Sequence, residues 1–285
     1  MRPARTNGGR LGTSGRRGSH RARARGQTED GPVSRRQGRR PPLALVIPVA
    51  AKYKSLFFDA DDTLFDYPRA ERAALRACRG EFGLSVGFEA FVAAYRRHNR
   101  DLWQAFERGE TTQGTLRVER FRRLAREFNL AGLPLERVSA FYLEALSGQS
   151  QLYPGTLAAV RALAKEFPLA LITNGIASVQ RRRFAASPLT RFFRTVVISE
   201  EVGAAKPDPR IFEPALRAVG VKAGDVLYVG DGVTSDMAAA RNAGMDFCWF
   251  NPAGLPVPDG HAPAFIIAAL SELPLRLQVS PAGTS

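Results

Sequence analysis

The chain has 285 residues, of which 45% are hydrophobic and 24% are charged, the ordinary usage of a globular protein. Its two cysteines, Cys78 and Cys248, exclude a disulfide scaffold and a cysteine-rich zinc module, and they favour a reducing cytoplasm as the location. No run of about 18 apolar residues occurs, so we expect neither a membrane-spanning helix nor a membrane partner.

The positive charge is concentrated near the N-terminus. Residues 1–42 contain twelve arginines and two acidic residues, and so carry +10 of the formal net charge of +14. Because this composition buries too little apolar surface to offset the entropy of ordering, we predict a disordered basic extension over residues 1–50. Such an arm could bind nucleic acid through phosphate contacts, and the apolar stretch 43–49 leaves a secretion signal as an alternative. We favour a segment without function, because the globular pattern starts sharply near Lys52.

The first predicted strand is followed by a helical region. The short apolar run from Lys54 to Asp59 predicts a buried parallel strand that ends in a loop of acidic residues. After Pro68, apolar residues recur at spacings of three and four, which predicts four amphipathic helices. The helices are expected at 69–82, 88–108, 113–129 and 135–147. We therefore interpret residues 68–150 as an inserted all-helical domain.

From Tyr153 onward the pattern alternates between helices and strands. Strands are expected at 169–173, 195–199, 226–230, 246–250 and 264–267, and helices at 156–166, 176–186, 208–219, 234–243 and the C-terminus. This alternation predicts an α/β fold with a doubly wound parallel sheet of the Rossmann-like type, built from residues 51–67 and 151–277. Ligands of such sheets bind at the carboxyl ends of the strands, which directs attention to the polar residues there.

The first strand ends in two carboxylates, Asp59 and Asp61. A calcium loop that started at Asp59 would need Gly at its sixth position and Glu at its twelfth, whereas the chain has Leu64 and Ala70 there. That alternative is excluded, and a solvated acidic turn remains open for this motif taken alone.

The next two strands are followed by groups suited to an anion. Thr173 and Asn174 end the second strand, where a hydroxyl and helix-start N–H groups form either an anion site or an ordinary helix cap. Lys206 precedes a proline-rich turn after the third strand and is one of five lysines in the chain. It is a candidate cation for a phosphate, with an ordinary surface lysine as the alternative.

The fourth strand ends in a second acidic pair, Asp231 and Asp236. Both could be turn and helix-start acids that complement the helix dipole. Their alternative role is to hold a hard divalent cation through carboxylate oxygens.

Together these motifs carry a family resemblance. Asp59-x-Asp61-x-Thr63, Thr173, Lys206 and Gly230-Asp231-x₄-Asp236 follow one another at successive strand ends, as in the haloacid dehalogenase superfamily, which they resemble. The resemblance implies that Asp59 is a nucleophile forming an aspartyl-phosphate and that Asp61 is the general acid and base. It further implies a Mg²⁺ ion held by Asp59, the Asp61 backbone carbonyl and Asp231, with Asp236 in support.

The resemblance also implies a phosphate site and a substrate class. Thr173, Lys206 and backbone N–H groups near Asn174 would hold the phosphoryl oxygens. Asp61 favours phosphoester chemistry over dehalogenation, because an alkoxide leaving group needs a proton and a halide does not. The helical insert resembles the mobile cap of the family, which closes over small substrates and excludes water. A small phosphorylated metabolite is therefore the expected partner.

A narrower resemblance points to bacterial pyrimidine 5′-nucleotidases, which hydrolyse pyrimidine nucleoside monophosphates. Its distinctive pieces are Thr234-Ser-Asp236 and Cys248-Trp-Phe-Asn-Pro252, while Gly232 stands where that subgroup is expected to have Ser. We expect this glycine to alter the flexibility of the loop more than the chemistry. A phosphoglycolate or sugar-phosphate phosphatase is the alternative within the superfamily. Outside it, the alternative is a nucleic-acid-binding protein that uses the arginine-rich arm on an inactive scaffold.

The aromatic residues of the helical insert have two interpretations. Phe91, Tyr95, Trp103 and Phe106 could stack on a nucleotide base. At helical spacing we instead expect them to form the core of the insert.

Overall fold

A computed structural model of the chain describes residues 52–279. The predicted basic extension over residues 1–50 lies outside these residues. Among residues 52–279, no helix is both long enough and apolar enough to span a bilayer.

The described chain is organised around one six-stranded parallel sheet, which confirms the predicted fold class. The strands are β1 (Ser55–Phe58), β2 (Leu169–Thr173), β3 (Phe193–Ile198), β4 (Val226–Gly230), β5 (Asp246–Phe250) and β6 (Phe265–Ile267). Their order is β3-β2-β1-β4-β5-β6, and every neighbouring pair is parallel. All residues of β1, β2 and β4 are buried because helices cover both faces, which explains why their sequences are continuously apolar rather than alternating.

The strand order defines where a ligand is expected. From β1 the chain proceeds outward through β2 to β3, and it then returns to β4 on the other side of β1. The point where the order reverses lies between β1 and β4, and parallel sheets of this kind bind ligands at the carboxyl edge of such a switch point. Asp59 follows β1 and Asp231 follows β4, so both lie at this edge.

Helices connect the strands on both faces of the sheet. They are α5 (Thr156–Glu166), α6 (Ala177–Ala185), α7 (Ser199–Val202), α8 (Glu213–Val219), α9 (Ala238–Ala243) and α10 (Glu272–Arg276). The predicted helix 208–219 is divided into a 3₁₀ turn at Pro209–Phe212 and α8, because Pro214 lacks the N–H that a continuous helix needs. The predicted helix 234–243 begins as a π turn at Val233–Met237 before α9.

Four helices lie between β1 and α5, as predicted, with ends within two residues of the expected ones. They are α1 (Tyr67–Glu81), α2 (Phe88–Glu107), α3 (Gln113–Glu127) and α4 (Leu135–Ser147), and they are referred to below as the cap. The Asp66 carboxylate caps α1 by accepting from the Arg69 N–H at 3.0 Å. Phe91 and Tyr95 are buried in the cap core, as expected for aromatic residues at helical spacing.

Candidate active site

A cavity of about 270 Å³ lies at the carboxyl edge of the sheet, between the strand ends and the cap. Polar residues from the ends of four strands meet there, because parallel strands all point their carboxyl ends toward the same edge. The residues predicted from the sequence all line it: Asp59, Asp61, Thr173, Asn174, Lys206, Asp231 and Asp236.

Lys206 is the centre of a buried charge network. Its Nζ donates to Asp59 Oδ1 at 2.5 Å and to Asp236 Oδ1 at 2.6 Å, with the Tyr228 hydroxyl 3.1 Å away. Burial alone would lower the pKa of Lys206, but the charges of Asp236 and Asp59 outweigh it and hold the pKa above its ordinary value. The lysine is therefore a permanent cation beside the Asp59 carboxylate.

Asn174 fixes the backbone that carries this lysine. Its Nδ2 donates to the Lys206 carbonyl and its Oδ1 accepts from the Lys206 N–H, both at 2.8 Å. The side-chain amide is thereby committed to the loop, so a contact between this residue and an anion would come from its backbone.

Asp236 lies beneath the loop after β4 and supports it. Its Oδ2 accepts from the Gly232 N–H at 2.9 Å, and its Oδ1 accepts from the Tyr228 hydroxyl at 2.7 Å as well as from Lys206. A Cβ on Gly232 would lie 2.2 Å from Ser235 Oγ, and a Cβ on Gly230 would lie 2.7 Å from Asp236 Cγ. Position 232 is therefore a glycine because the side chains of Ser235 and Asp236 occupy the space that a Cβ would need. From the sequence alone, this glycine was related to loop flexibility instead.

Three carboxylates form a group that could hold a cation. Oxygens of Asp59, Asp231 and Asp236 all lie within 4.8 Å of one another. Burial raises the pKa of Asp231 well above its ordinary value, and the charge of Asp236 adds to the effect. Burial likewise raises the pKa of Asp59, although Lys206 opposes the shift. The Asp236 carboxylate already accepts three hydrogen bonds, so the oxygens that remain free to bind a cation belong to Asp59 and Asp231. Carboxylate oxygens of this kind are ligands that suit Mg²⁺.

Two residues that the sequence analysis missed hold Asp61. Arg183 Nη1 donates to Asp61 Oδ1 at 2.6 Å, and Gln180 Nε2 donates to Asp61 Oδ2 at 2.8 Å and to Thr173 Oγ1 at 3.0 Å. Both lie on α6, and their spacing of three residues places them on the same face of the helix. The sequence signal was obscured because Arg183 ends a run of three arginines, of which Arg181 and Arg182 are exposed.

The cap closes the other side of the cavity and contacts the sheet edge directly. Glu107 at the end of α2 accepts from the Thr234 hydroxyl at 2.9 Å, and Gln113 of α3 donates to the Ser199 hydroxyl at 3.2 Å. Trp103 lines the cavity and packs edge-on against Phe106, with 5.5 Å between ring centres. Of the four aromatic residues considered above, Trp103 is therefore the one placed to contact a ligand.

These features agree with a comparison to known families. A sequence model of the haloacid dehalogenase-like hydrolases matches residues 53–244, which is more than half of the chain. The chain therefore belongs to this family of hydrolases, as its four motifs implied.

Similar proteins from bacteria span most of the chain. The pyrimidine 5′-nucleotidase YjjG of Escherichia coli is 32% identical, over 78% of this chain and 96% of its own length. The pyrimidine 5′-nucleotidase PynA of Streptococcus pneumoniae is 33% identical, over 70% of this chain and 84% of its own length.

A solved structure shows the same fold. The HAD-hydrolase YfnB of Bacillus subtilis, whose crystal structure is bound to magnesium, superposes with a TM-score of 0.75 at 30% sequence identity. The match covers 80% of this chain and 100% of that one.

Proposed function

We propose that the protein is a cytoplasmic, Mg²⁺-dependent phosphomonoester hydrolase that acts through an aspartyl-phosphate on Asp59, with pyrimidine nucleoside monophosphates as substrates. The observation that carries this proposal is the ion pair between the buried Asp59 and Lys206, with the Asp231 carboxylate close by. Asp61, two residues after Asp59, has a separate ion pair with Arg183. The arrangement supplies a nucleophile, a cation and a separate proton donor within one cavity.

Asp59 is the nucleophile in this proposal. Lys206 fixes one carboxylate oxygen of Asp59 and opposes the rise in pKa that burial causes, so it orients the carboxylate and favours its ionised form. Attack by a carboxylate oxygen on phosphorus forms the aspartyl-phosphate as the bond to the leaving oxygen breaks.

Asp61 moves the protons of both steps. Its carboxyl group protonates the leaving oxygen in the first step, and the resulting carboxylate takes a proton from the water that cleaves the aspartyl-phosphate. Arg183 and Gln180 each hold one oxygen of Asp61, so they are positioning residues for this group.

Thr173 and Lys206 hold the transferring phosphoryl oxygens. Gln180 Nε2 donates to Thr173 Oγ1, so the hydroxyl proton of Thr173 is available for a phosphoryl oxygen. Backbone N–H groups after Thr173, near Asn174, add donors where negative charge develops.

The donor set fits Mg²⁺. Asp59 and Asp231 would hold the ion together with the main-chain carbonyl of Asp61, and Asp236 would keep the surrounding loop in place. When bound, the ion reduces the repulsion between the anionic nucleophile and the anionic phosphoryl group.

The substrate class rests on two further observations. Two of the similar proteins are pyrimidine 5′-nucleotidases. The Thr234-Ser-Asp236 and Cys248-Trp-Phe-Asn-Pro252 pieces of this chain resemble that subgroup. The indole of Trp103 lines the cavity on the cap side, where a base could stack on it.

A phosphate-release screen tests the proposal. The purified protein with Mg²⁺ is assayed against pyrimidine and purine nucleoside monophosphates, phosphoglycolate and sugar phosphates, with Asp59→Asn as the inactive control. We expect the highest kcat/KM for uridine or thymidine monophosphates. A kcat/KM about tenfold higher for phosphoglycolate or a sugar phosphate would replace the nucleotidase with the alternative phosphatase, because kcat/KM measures the stabilisation of each transition state. Full activity of Asp59→Asn would remove the proposed nucleophile.

A further inference from the structure

Two almost fully buried arginines line the cavity, and their surroundings differ. Arg183 is 1% exposed and its charge is balanced by Asp61. Arg120, on α3 of the cap, is 2% exposed, and no carboxylate of residues 52–279 lies within 4.0 Å of its guanidinium. Its Nη1 donates to Asn99 Oδ1 at 3.3 Å and its Nε to the Arg117 carbonyl at 3.2 Å, whereas its Nη2 has no partner.

A buried cation with unused donors is unfavourable, and the surroundings of Arg120 relieve this only in part. The guanidinium carbon lies 4.7 Å from the ring centre of Tyr142 and 5.6 Å from that of Tyr95, so cation–π attraction holds it in place. Aromatic faces do not accept in-plane N–H groups, so the N–H groups of Nη2 remain desolvated without an acceptor. The buried acid of the cap, Glu71, is paired with Arg96 at 2.5 Å.

The position of Arg120 relates it to the substrate. The core side of the cavity carries Lys206 and the aspartates, whereas the cap side carries Arg120, Asn99, Trp103 and Glu107. Asn99 and Trp103 are four residues apart on α2 and so share a helix face. A substrate whose phosphoryl group is held by the core would extend its remaining atoms along this cap wall.

We propose that Arg120 and Asn99 form a recognition subsite for an acceptor oxygen on the non-reacting part of the substrate. The subsite takes a ring carbonyl of a pyrimidine or a carboxylate of a small phosphoester, both of which match the planar donor fork of arginine. Since Asn99 Oδ1 accepts from Arg120, its Nδ2 is the second donor. The assignment rests on the proposed function, which places the phosphoryl group at Lys206.

Three phosphomonoesters distinguish a ring carbonyl from a carboxylate as the group that supplies the acceptor oxygen. Uridine 5′-monophosphate carries ring carbonyls, phosphoglycolate carries a carboxylate, and phenyl phosphate carries no acceptor beyond its phosphoryl group. In Arg120→Met, the kcat/KM ratio of the preferred acceptor-bearing substrate to phenyl phosphate should fall by about 100-fold, because a site built to hydrogen-bond its substrate discriminates through those bonds. Loss on uridine 5′-monophosphate identifies the carbonyl, and loss on phosphoglycolate identifies the carboxylate.

The control and a second variant make the test decisive. Arg126→Met, an exposed arginine on the same helix, should keep the wild-type ratio. Asn99→Leu, of similar volume, should lower the same ratio by about tenfold, and it carries the test if Arg120→Met does not fold. An unchanged ratio in Asn99→Leu, or equal losses on all three esters in Arg120→Met, would overturn the subsite. If the wild-type protein with Mg²⁺ hydrolysed none of the three esters, the proposed function itself would fail.

Discussion

The Arg183 guanidinium donates to the Asp61 carboxylate at 2.6 Å in a position where the arginine side chain is 1% exposed. The same side chain donates through Nε to the Gln149 carbonyl at 2.8 Å, in the segment where the chain returns from the cap to the core. Arg183 therefore connects the proposed general acid to one of the two cap linkers. The effect of replacing Arg183 on the rate should therefore depend on whether the leaving group has to be protonated.

Replacing Arg183 should impair the acid step selectively. In Arg183→Gln, Asp61 loses its fixed orientation, so phosphoryl transfer from an alkyl phosphate should slow by about 100-fold. Transfer from p-nitrophenyl phosphate should slow far less, because its phenolate departs without a proton. Single-turnover release of each leaving group measures this first step.

Arg181→Gln is the matched control, because Arg181 lies on the same helix and pairs with Glu201 at the surface. It should retain wild-type rates on both esters. Equal slowing of both esters in Arg183→Gln would instead assign Arg183 a purely structural role.

Removal of divalent metal should abolish turnover, and its rebinding should depend on pH. Burial raises the pKa of Asp59 and of Asp231, so in the metal-free protein these carboxyls retain protons to a higher pH than usual. Metal binding must displace those protons, and the apparent Mg²⁺ affinity should weaken as the pH falls. Mg²⁺ titrations after chelation, followed by activity and by Tm, measure this.

In the same titrations, Asp231→Asn should lose the Mg²⁺-dependent rise in Tm. Asp225→Asn, which alters a half-buried acid paired with Lys54, should keep it. Full activity after exhaustive chelation would exclude the metal requirement.

Lys206→Met should destabilise the fold in a pH-dependent way. The substitution leaves the buried carboxylates of Asp59 and Asp236 without their cation, a change that typically costs about 3–5 kcal/mol. Without Lys206, burial favours the protonated form of Asp59 more strongly in the folded than in the unfolded chain. The loss in the free energy of unfolding should therefore grow as the pH rises above the unfolded pKa of Asp59.

Urea denaturation at about pH 5 and pH 8 checks this expectation, because the two values span the range in which buried carboxyls with raised pKa values titrate. Lys222→Met is the control, since Lys222 makes no ion pair within residues 52–279 and should change the stability little. A loss that shrank with rising pH would contradict the proposed charge balance.

Gly230→Ala should destabilise the loop that carries Asp231. A Cβ at this position would lie 2.7 Å from Asp236 Cγ, so Asp236 would have to leave Lys206 or the backbone would have to shift. We expect a loss of about 1–3 kcal/mol in the free energy of unfolding and a larger relative loss of activity. Gly80→Ala is the matched control, because a Cβ there meets nothing within 4 Å and Gly80 lies inside α1. Gly80→Ala should raise the free energy of unfolding slightly. An equal loss of stability in the two variants would contradict the close contact between position 230 and Asp236.

Much of the fold could be predicted from local patterns. Strands β2 and β4 match their predicted ranges residue for residue, because each is a continuous apolar run bounded by turn residues. The π turn at Val233–Met237 could not be predicted, because it accompanies hydrogen bonds to Asp236 from Tyr228 and from Lys206, which lies 30 residues away in the chain.

The residues at the strand ends could be chosen from the sequence for a topological reason. In a parallel sheet, carboxyl ends share an edge, so Asp59, Thr173 and Asp231 had to come close whatever the details of packing. Their residue types and order then carried the family resemblance. No such rule applies to the arginines, because three consecutive arginines in α6 look alike in sequence, and the packing of that helix buries Arg183 and exposes the other two. Arg120 was hidden for the same reason: burial of its charge beside the cavity depends on how the cap helices pack, which no local pattern encodes.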